Sequence, residues 1–153
     1  MVDRPDPARA GVRAGRVVGL LTAGLVVVTV AVRQESLYAV ASVWLDLLGV
    51  ESGRVAAALL WGNALLAAAS RFAISYTVGS LVGVVYDWLD RPPLPVLAVL
   101  VVLVGIVDGV LSGIDAQSVA IGGAYVLAWC CYLPAFVWLH EDDDTPDGPR
   151  RLG

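Results

Sequence analysis

The chain has 153 residues and a formal net charge of −4 at pH 7; 58% of its residues are hydrophobic and 16% are charged. Soluble domains contain roughly 45–50% apolar and about 25% charged residues, so this composition excludes an ordinary water-soluble domain. The apolar residues form long runs, which are typical of membrane spans. We therefore predict an all-α fold, a polytopic transmembrane helix bundle with four spans and a helical hairpin at the outer leaflet.

The charged residues indicate an unusual environment. All ten basic residues are arginine, and the acidic residues outnumber them at 14. Concentrated salt screens repulsion between carboxylates to within a few Å. An acidic, lysine-free membrane protein is therefore typical of a salt-adapted organism, and a GC-rich genome that favours arginine codons is the alternative explanation.

The first predicted span follows a short cytoplasmic tail, residues 1–11. An uncharged run covers residues 17–32. As a helix this run would be only about 24 Å long, short of the roughly 30 Å hydrocarbon core. Extending the span to 12–32 closes the gap, with Arg13 and Arg16 reaching back to the headgroups.

A proline pair sets the register of the second predicted span. Pro92 and Pro93 directly follow Arg91 and end the incoming helix. Counting back about 20 residues places the span at 68–89.

The segment before this span, residues 37–67, is predicted to be an interfacial or re-entrant helical hairpin in the outer leaflet. Its first apolar run, 37–50, is short for a span and carries Asp46. Trp44 and Trp61 suit the membrane interface. A fifth span formed by 37–50 is the alternative.

The third and fourth spans are predicted at 94–114 and 117–139, which completes a membrane domain over residues 12–140. Pro134 lies inside the fourth span. Because proline cannot donate to the carbonyl four residues earlier, we expect a helix kink there. The remaining residues, 141–153, form an acidic tail that we expect to be disordered.

The distribution of arginine predicts the orientation. With four spans and the N-terminus inside, the outer segments hold only Arg33 and Arg54. The inner segments hold the larger set: Arg4, Arg9, Arg13, Arg16, Arg91, Arg150 and Arg151. Cytoplasmic flanks carry an excess of Lys and Arg, so both termini are predicted to be cytoplasmic.

Small residues recur at four-residue spacing in three of the predicted spans. Such faces let membrane helices approach closely, either within one bundle or between chains. The predicted packing faces comprise Gly11, Gly15, Gly19 and Ala23 in the first span, Ser75, Gly79 and Gly83 in the second, and Gly105, Gly109 and Gly113 in the third.

Arg71 and Asp108 are the ionisable residues deepest inside the predicted spans. Across the proline turn the second and third spans run antiparallel, and helical rise places both residues roughly 21–26 Å from the inner boundary. We therefore predict an intramembrane ion pair. Intramembrane charges are often functional, although a structural bridge, or separate snorkelling of the two side chains, is the alternative.

The sequence contains no clear catalytic machinery. Tyr86-Asp87 and the segment 105–108, which ends in Asp108, resemble the aspartate motifs of presenilin-type intramembrane proteases in a handful of residues. The second motif lacks the directly preceding glycine, and helical rise separates the two carboxylates by about 20 Å, too far to share a proton. His140 beside the acidic tail could bind a divalent cation, but a solvated tail is the favoured interpretation. We predict no enzyme activity, no cofactor, no metal and no nucleic-acid partner.

The expected function is that of a non-enzymatic protein of the cell membrane, or of a viral envelope. It would act through helix packing in the lipid bilayer, as a scaffold or an accessory subunit, with a homo-oligomer or another membrane protein as its partner. The alternative is a small transporter or channel subunit that uses Arg71 and Asp108.

Overall fold

A computed structural model describes residues 7–90 and 92–142. The first six residues of the predicted N-terminal tail, Arg91 of the predicted proline stop, and residues 143–153 of the predicted acidic tail lie outside it. The described residues form six helices: α1 (Pro7–Val32), α2 (Gln34–Leu47), α3 (Ser52–Trp88), α4 (Leu94–Asp115), α5 (Val119–Cys130) and α6 (Tyr132–Asp142).

The predicted all-α class is confirmed for the described residues. Four helical stretches are long and apolar enough to span a membrane, as predicted, and together they indicate a membrane protein. They are Arg9–Val32, Gly53–Trp88, Leu94–Asp115 and Val119–Trp138, the last of which joins α5 and α6.

Three turns reverse the chain between helices, and each contains a residue with positive φ: Gly49 (72°), Asp90 (59°) and Gln117 (49°). Pro93 is the N-cap residue of α4, and Pro95 lies in the first turn of the helix, where a missing N–H costs no helical hydrogen bond. Ser118 caps α5 by accepting a hydrogen bond from the backbone N–H of Ile121 at 3.4 Å.

α1 and α3 pack antiparallel over most of their length. A Cβ atom added to Gly79 would lie 2.6 Å from the Cα atom of Gly15, so the two backbones are in direct contact there. Further along, the Thr22 hydroxyl donates a hydrogen bond to the Ser75 hydroxyl at 3.0 Å. The small-residue faces predicted on these two helices therefore pack against each other within the chain.

α2 continues along α3 beyond the end of α1. Arg33 interrupts α1 and α2 for one residue only, and the Tyr38 hydroxyl donates to the Gly53 carbonyl at 3.2 Å. Residue numbers rise along α1 and α2 while those of their contacts on α3 fall. These three helices thus form one long antiparallel hairpin.

α3 is a single helix of 37 residues, about 55 Å long. Our sequence interpretation divided it at residue 67, between an interfacial hairpin and a second span that begins at 68. No helix boundary exists at that position. The segment 55–86 contains no proline, and a helix in which each residue bonds the preceding turn has no reason to stop there.

α4 packs mainly against α5. The predicted small-residue face on α4 is used in this contact, because a Cβ added to Gly109 would lie 2.6 Å from the Gly122 carbonyl oxygen. Cys131 separates α5 from α6. Three residues later, Pro134 has no N–H, so the Cys130 carbonyl lacks its usual helical donor. The one-residue break between α5 and α6 therefore lies within one turn of Pro134, while the kink itself stays a prediction. α6 extends to Asp142, so the first two residues of the predicted disordered tail are helical.

The two helix pairs, α1 with α3 and α4 with α5, are joined chiefly by α6, which packs on α1. The Tyr132 hydroxyl donates to the Gly79 carbonyl at 2.7 Å, at the centre of this junction. The core around it consists of Ala10, Ala14, Val18, Val82, Leu97, Val101, Trp129, Tyr132 and Phe136. α3 and α4 touch little, and the gap between them contains the candidate site.

Candidate functional site

The structure joins Arg71 of α3 to Asp108 of α4 by a salt bridge. The two side chains retain 22% and 14% of their exposure, so the pair is largely screened from solvent. Counting helical rise from the turn between α3 and α4 placed both charges at the same depth, and this register is what brings them together.

Each member of the pair has a second partner. Nη2 of Arg71 also donates to the Ser112 hydroxyl at 2.6 Å, and the indole N–H of Trp129 donates to Asp108 Oδ2 at 2.8 Å. The guanidinium lies 4.7 Å from the centre of the Tyr125 ring, which is a cation–π distance. Both ions are thus held from α3, α4 and α5 together.

Our sequence interpretation missed Ser112, Tyr125 and Trp129. The sequence did contain one indication of them, a four-residue spacing within each helix. Ser112 lies four residues after Asp108, and Tyr125 lies four before Trp129, so each pair shares a helix face. Nothing in the sequence showed that these two faces would meet at Arg71.

One donor of the pair has no acceptor. Nε of Arg71 is buried without a hydrogen-bond partner among the described residues. A buried, unsatisfied donor costs roughly 1–3 kcal/mol, and more on a charged group. The hydrogen-bonding capacity of the pair is therefore not fully satisfied by the described residues.

A cavity of about 680 Å³ lies beside Arg71 and extends toward the turn between α4 and α5. Its volume is in the range of small-molecule sites. Charged and polar side chains line much of it: Thr29, Arg33, Asn63, Ser70, Arg71, Ser112, Asp115 and Tyr125. The guanidinium of Arg33 donates to the Ala116 carbonyl at 3.4 Å, which places Arg33 near the end of the cavity beside that turn. We call this space the polar cavity.

A second cavity, of about 360 Å³, lies on the other side of the pair between α3 and α4. Asp108 and Ser75 are its polar lining residues, and the rest is apolar: Ile74, Val78, Leu103, Val104, Val107, Leu111 and Trp129. Ile74 and Leu111 line both cavities, so the two spaces adjoin. We call this space the apolar cleft.

A separate buried network supports the wall of the polar cavity. The Tyr125 hydroxyl donates to the Thr22 carbonyl at 3.4 Å, while the Thr22 side chain is bonded to Ser75. Tyr125, Thr22 and Ser75 are all buried. This network ties α5 to the α1–α3 pair directly next to Arg71.

Asp87, the other carboxylate of the protease-like motifs, does not join this site. Asp87 is exposed in the last turn of α3, whereas Asp108 is bonded to Arg71 and Trp129. Cys130 and Cys131 are free thiols. The side chain of His140 and most of the acidic tail lie outside the described residues.

No protein-family description matches the chain, and no curated protein or solved structure matches it either.

Proposed function

We propose that this chain is a non-enzymatic, multi-pass integral membrane protein that serves as a scaffold or an accessory subunit of a larger membrane assembly, in a cell membrane or a viral envelope. The four apolar helical stretches support membrane insertion. The observation that carries the assembly role is the apolar arm described below.

The charges at the two ends of the bundle support cytoplasmic termini. Arg9, Arg13 and Arg16 are exposed at the start of α1. Arg33 and Arg54 lie toward the opposite end, where the flanks hold fewer arginines. This asymmetry favours an inner position for the start of α1.

The arm consists of α2, the turn 48–51 and residues 52–63 of α3. Because Arg33 contacts Ala116 in the turn between α4 and α5, the arm extends past that turn by the length of α2, about 21 Å. Large apolar side chains are exposed along it: Val40, Val43, Trp44, Leu47, Leu48, Val55 and Leu59. Exposed apolar surface of this extent is typical of a site that binds lipid or another protein.

α3 is longer than the bilayer is thick. At about 55 Å it exceeds the 40–45 Å of a whole bilayer by about 10–15 Å, and tilting reduces the height of the excess. With Arg33 and Ala116 at the outer headgroups, Trp61 lies near the same interface, because its neighbour Asn63 lines the polar cavity together with Arg33. The rest of the arm continues obliquely past this interface, where a neighbouring membrane protein can reach it.

A different membrane protein suits this surface better than a second copy. The exposed carboxylates Glu35, Asp46 and Glu51 outnumber Arg54 on the arm. Two copies in the same membrane orientation would place these like charges at equal height, which opposes pairing. The partner we propose offers an apolar face with basic residues near its outer end. The small-residue faces are occupied by packing within the chain, whereas the large apolar side chains of the arm are exposed.

The test is purification of the tagged full chain from native membranes in mild detergent, followed by the mass of the intact complex. We expect one foreign membrane protein in fixed stoichiometry. Leu47→Gln, on the arm, should remove it, whereas Leu127→Gln, at a similarly exposed leucine of α5, should retain it. A monomer or a homo-oligomer, or equal recovery with both variants, would contradict the proposal.

A transporter or channel subunit is the second candidate, favoured by the cavities on both sides of Arg71 and Asp108. A transport path requires water at the pair. Asp108→Cys, in a chain whose Cys130 and Cys131 are replaced by alanine, should then react with a membrane-impermeant thiol reagent. A position that stays unreactive would eliminate this candidate.

A further inference from the structure

We propose that the polar cavity and the apolar cleft together bind one anionic phospholipid from the leaflet nearest the turn between α4 and α5. The headgroup occupies the polar cavity, and an acyl chain follows the cleft between α3 and α4. The proposal rests on the membrane insertion proposed above and adds a specific lipid ligand to it.

The hydrogen-bond donors of the polar cavity favour an anion. Its lining contains Arg33 and Arg71 together with one carboxylate, Asp115. Asp108 lines the apolar cleft and balances the charge of Arg71, so the donors left for an anion are the guanidinium of Arg33 and the buried Nε of Arg71, which has no partner among the described residues. Arginine binds phosphate through a planar fork of donors, and basic pockets between membrane helices are known to hold anionic headgroups.

The depths of the polar groups match the parts of a phospholipid. Arg33 lies level with Ala116, at the end of the bundle. Ser112 and Asp108 lie one and two turns deeper on α4, about 6 and 12 Å from Ala116. A phosphate at Arg33 therefore places the ester oxygens near Ser112, whose hydroxyl accepts from Arg71 and can donate its own proton.

The apolar cleft continues in the direction that an acyl chain takes. It begins at Ile74 and Leu111, which it shares with the polar cavity, and leads past Val107 to Leu103 on α4. Leu103 and Val107 are 58% and 61% exposed, so the cleft opens sideways to lipid. An acyl chain in the cleft would fill the gap between α3 and α4.

A lipid explains this pair of cavities better than a soluble anion does. A free phosphate would use the polar cavity and leave the adjoining apolar space empty. An apolar molecule would use the cleft and leave two arginines beside an empty cavity. Only an amphiphile with its charged end outward matches both, and this is the orientation of the surrounding leaflet.

The experiment is lipid titration of the purified full chain in neutral detergent, with native mass spectrometry as the readout. The probes are phosphatidylglycerol and phosphatidylcholine with identical oleoyl chains, and glycerol phosphate without chains. We expect phosphatidylglycerol to bind at least tenfold more tightly than phosphatidylcholine, and glycerol phosphate not to bind measurably.

Two variants test the two halves of the site. Arg33→Gln removes the headgroup cation without breaking the Arg71 pair, and we expect a five- to tenfold loss of phosphatidylglycerol affinity; Arg54→Gln, outside both cavities, is its control. Leu103→Trp blocks the cleft, and we expect weaker binding of both diacyl lipids; Leu127→Trp is its control. Arg33 lines a cavity, and Arg54, Leu103 and Leu127 are exposed, so we expect all four variants to fold; circular dichroism checks this.

Three results would overturn the proposal: equal affinity for the two diacyl lipids, Arg33→Gln indistinguishable from Arg54→Gln, or glycerol phosphate binding with no effect of Leu103→Trp. The last result would mean that the polar cavity binds a soluble anion. Resistance of the protein to alkaline carbonate extraction is measured in parallel. A failure of membrane insertion is thereby distinguished from a failure of lipid binding.

Discussion

Replacing Gly79 by alanine should destabilise the protein by forcing α1 away from α3. The added Cβ would lie 2.6 Å from the Cα of Gly15 and 3.3 Å from a ring carbon of Tyr132. Carbon atoms rest at about 3.5–4.0 Å, so the helices must separate by about 1 Å. Overpacking costs about 1–3 kcal/mol. We expect the upper part of this range, about 2–3 kcal/mol, because the clash involves backbone that cannot change rotamer.

The control for this prediction is Gly24 of α1, where an added Cβ meets nothing within 4 Å. Gly24→Ala should leave stability unchanged or raise it by up to about 1 kcal/mol through helix propensity. Equilibrium unfolding in bicelles by steric trapping measures both variants. The expected loss for Gly79→Ala is about 30- to 140-fold in the folding equilibrium constant. Equal stabilities of the two variants would refute the close packing of α1 on α3.

The same assay checks three further predictions. Arg71→Gln and Asp108→Asn should each lower the free energy of unfolding by about 3–5 kcal/mol. The double variant should lose about 1–3 kcal/mol less than the sum of the two single losses, and additive losses would mean that the residues do not pair. Trp129→Phe should cost about 1.5–3 kcal/mol through its lost bond to a carboxylate, while Trp138→Phe, at an exposed site, should cost almost nothing. Tyr132→Phe should lower the free energy of unfolding by about 1 kcal/mol, because the buried Gly79 carbonyl loses the hydrogen bond that it accepts in addition to its helical one, and an unchanged stability would contradict that bond.

Much of the helical architecture could be predicted because it depends on local signals. Pro92 and Pro93 end one helix and precede the next, and the apolar runs are long enough for spans. The shared depth of Arg71 and Asp108 follows from helical rise alone, counted from that turn.

The division of α3 at residue 67 came from fitting a span to the thickness of a bilayer. The chain between 55 and 86 contains no proline and had no local reason to break. Bilayer thickness constrains how a helix tilts as well as how long it is, so an uninterrupted apolar helix can exceed a standard span.

The site itself could be predicted only in part, because its remaining residues come together through helix packing. Small-residue faces indicate close approach without specifying the partner. Gly15 packs on Gly79, and Gly109 packs on Gly122. These contacts depend on the simultaneous packing of α1 on α3 and of α4 on α5. The positions of Tyr125 and Trp129 beside Arg71 follow from that packing, as do both cavities.

The separation of Arg71 and Asp108 along the chain has a consequence for biosynthesis. Asp108 is made 37 residues after Arg71, which takes about 2–7 s at about 5–20 residues per second. During that interval α3 carries an arginine whose counter-ion does not yet exist, and moving such a charge alone into lipid is unfavourable. We therefore expect α3 to wait beside the insertion machinery until α4 arrives, so that the two helices enter the membrane as a unit.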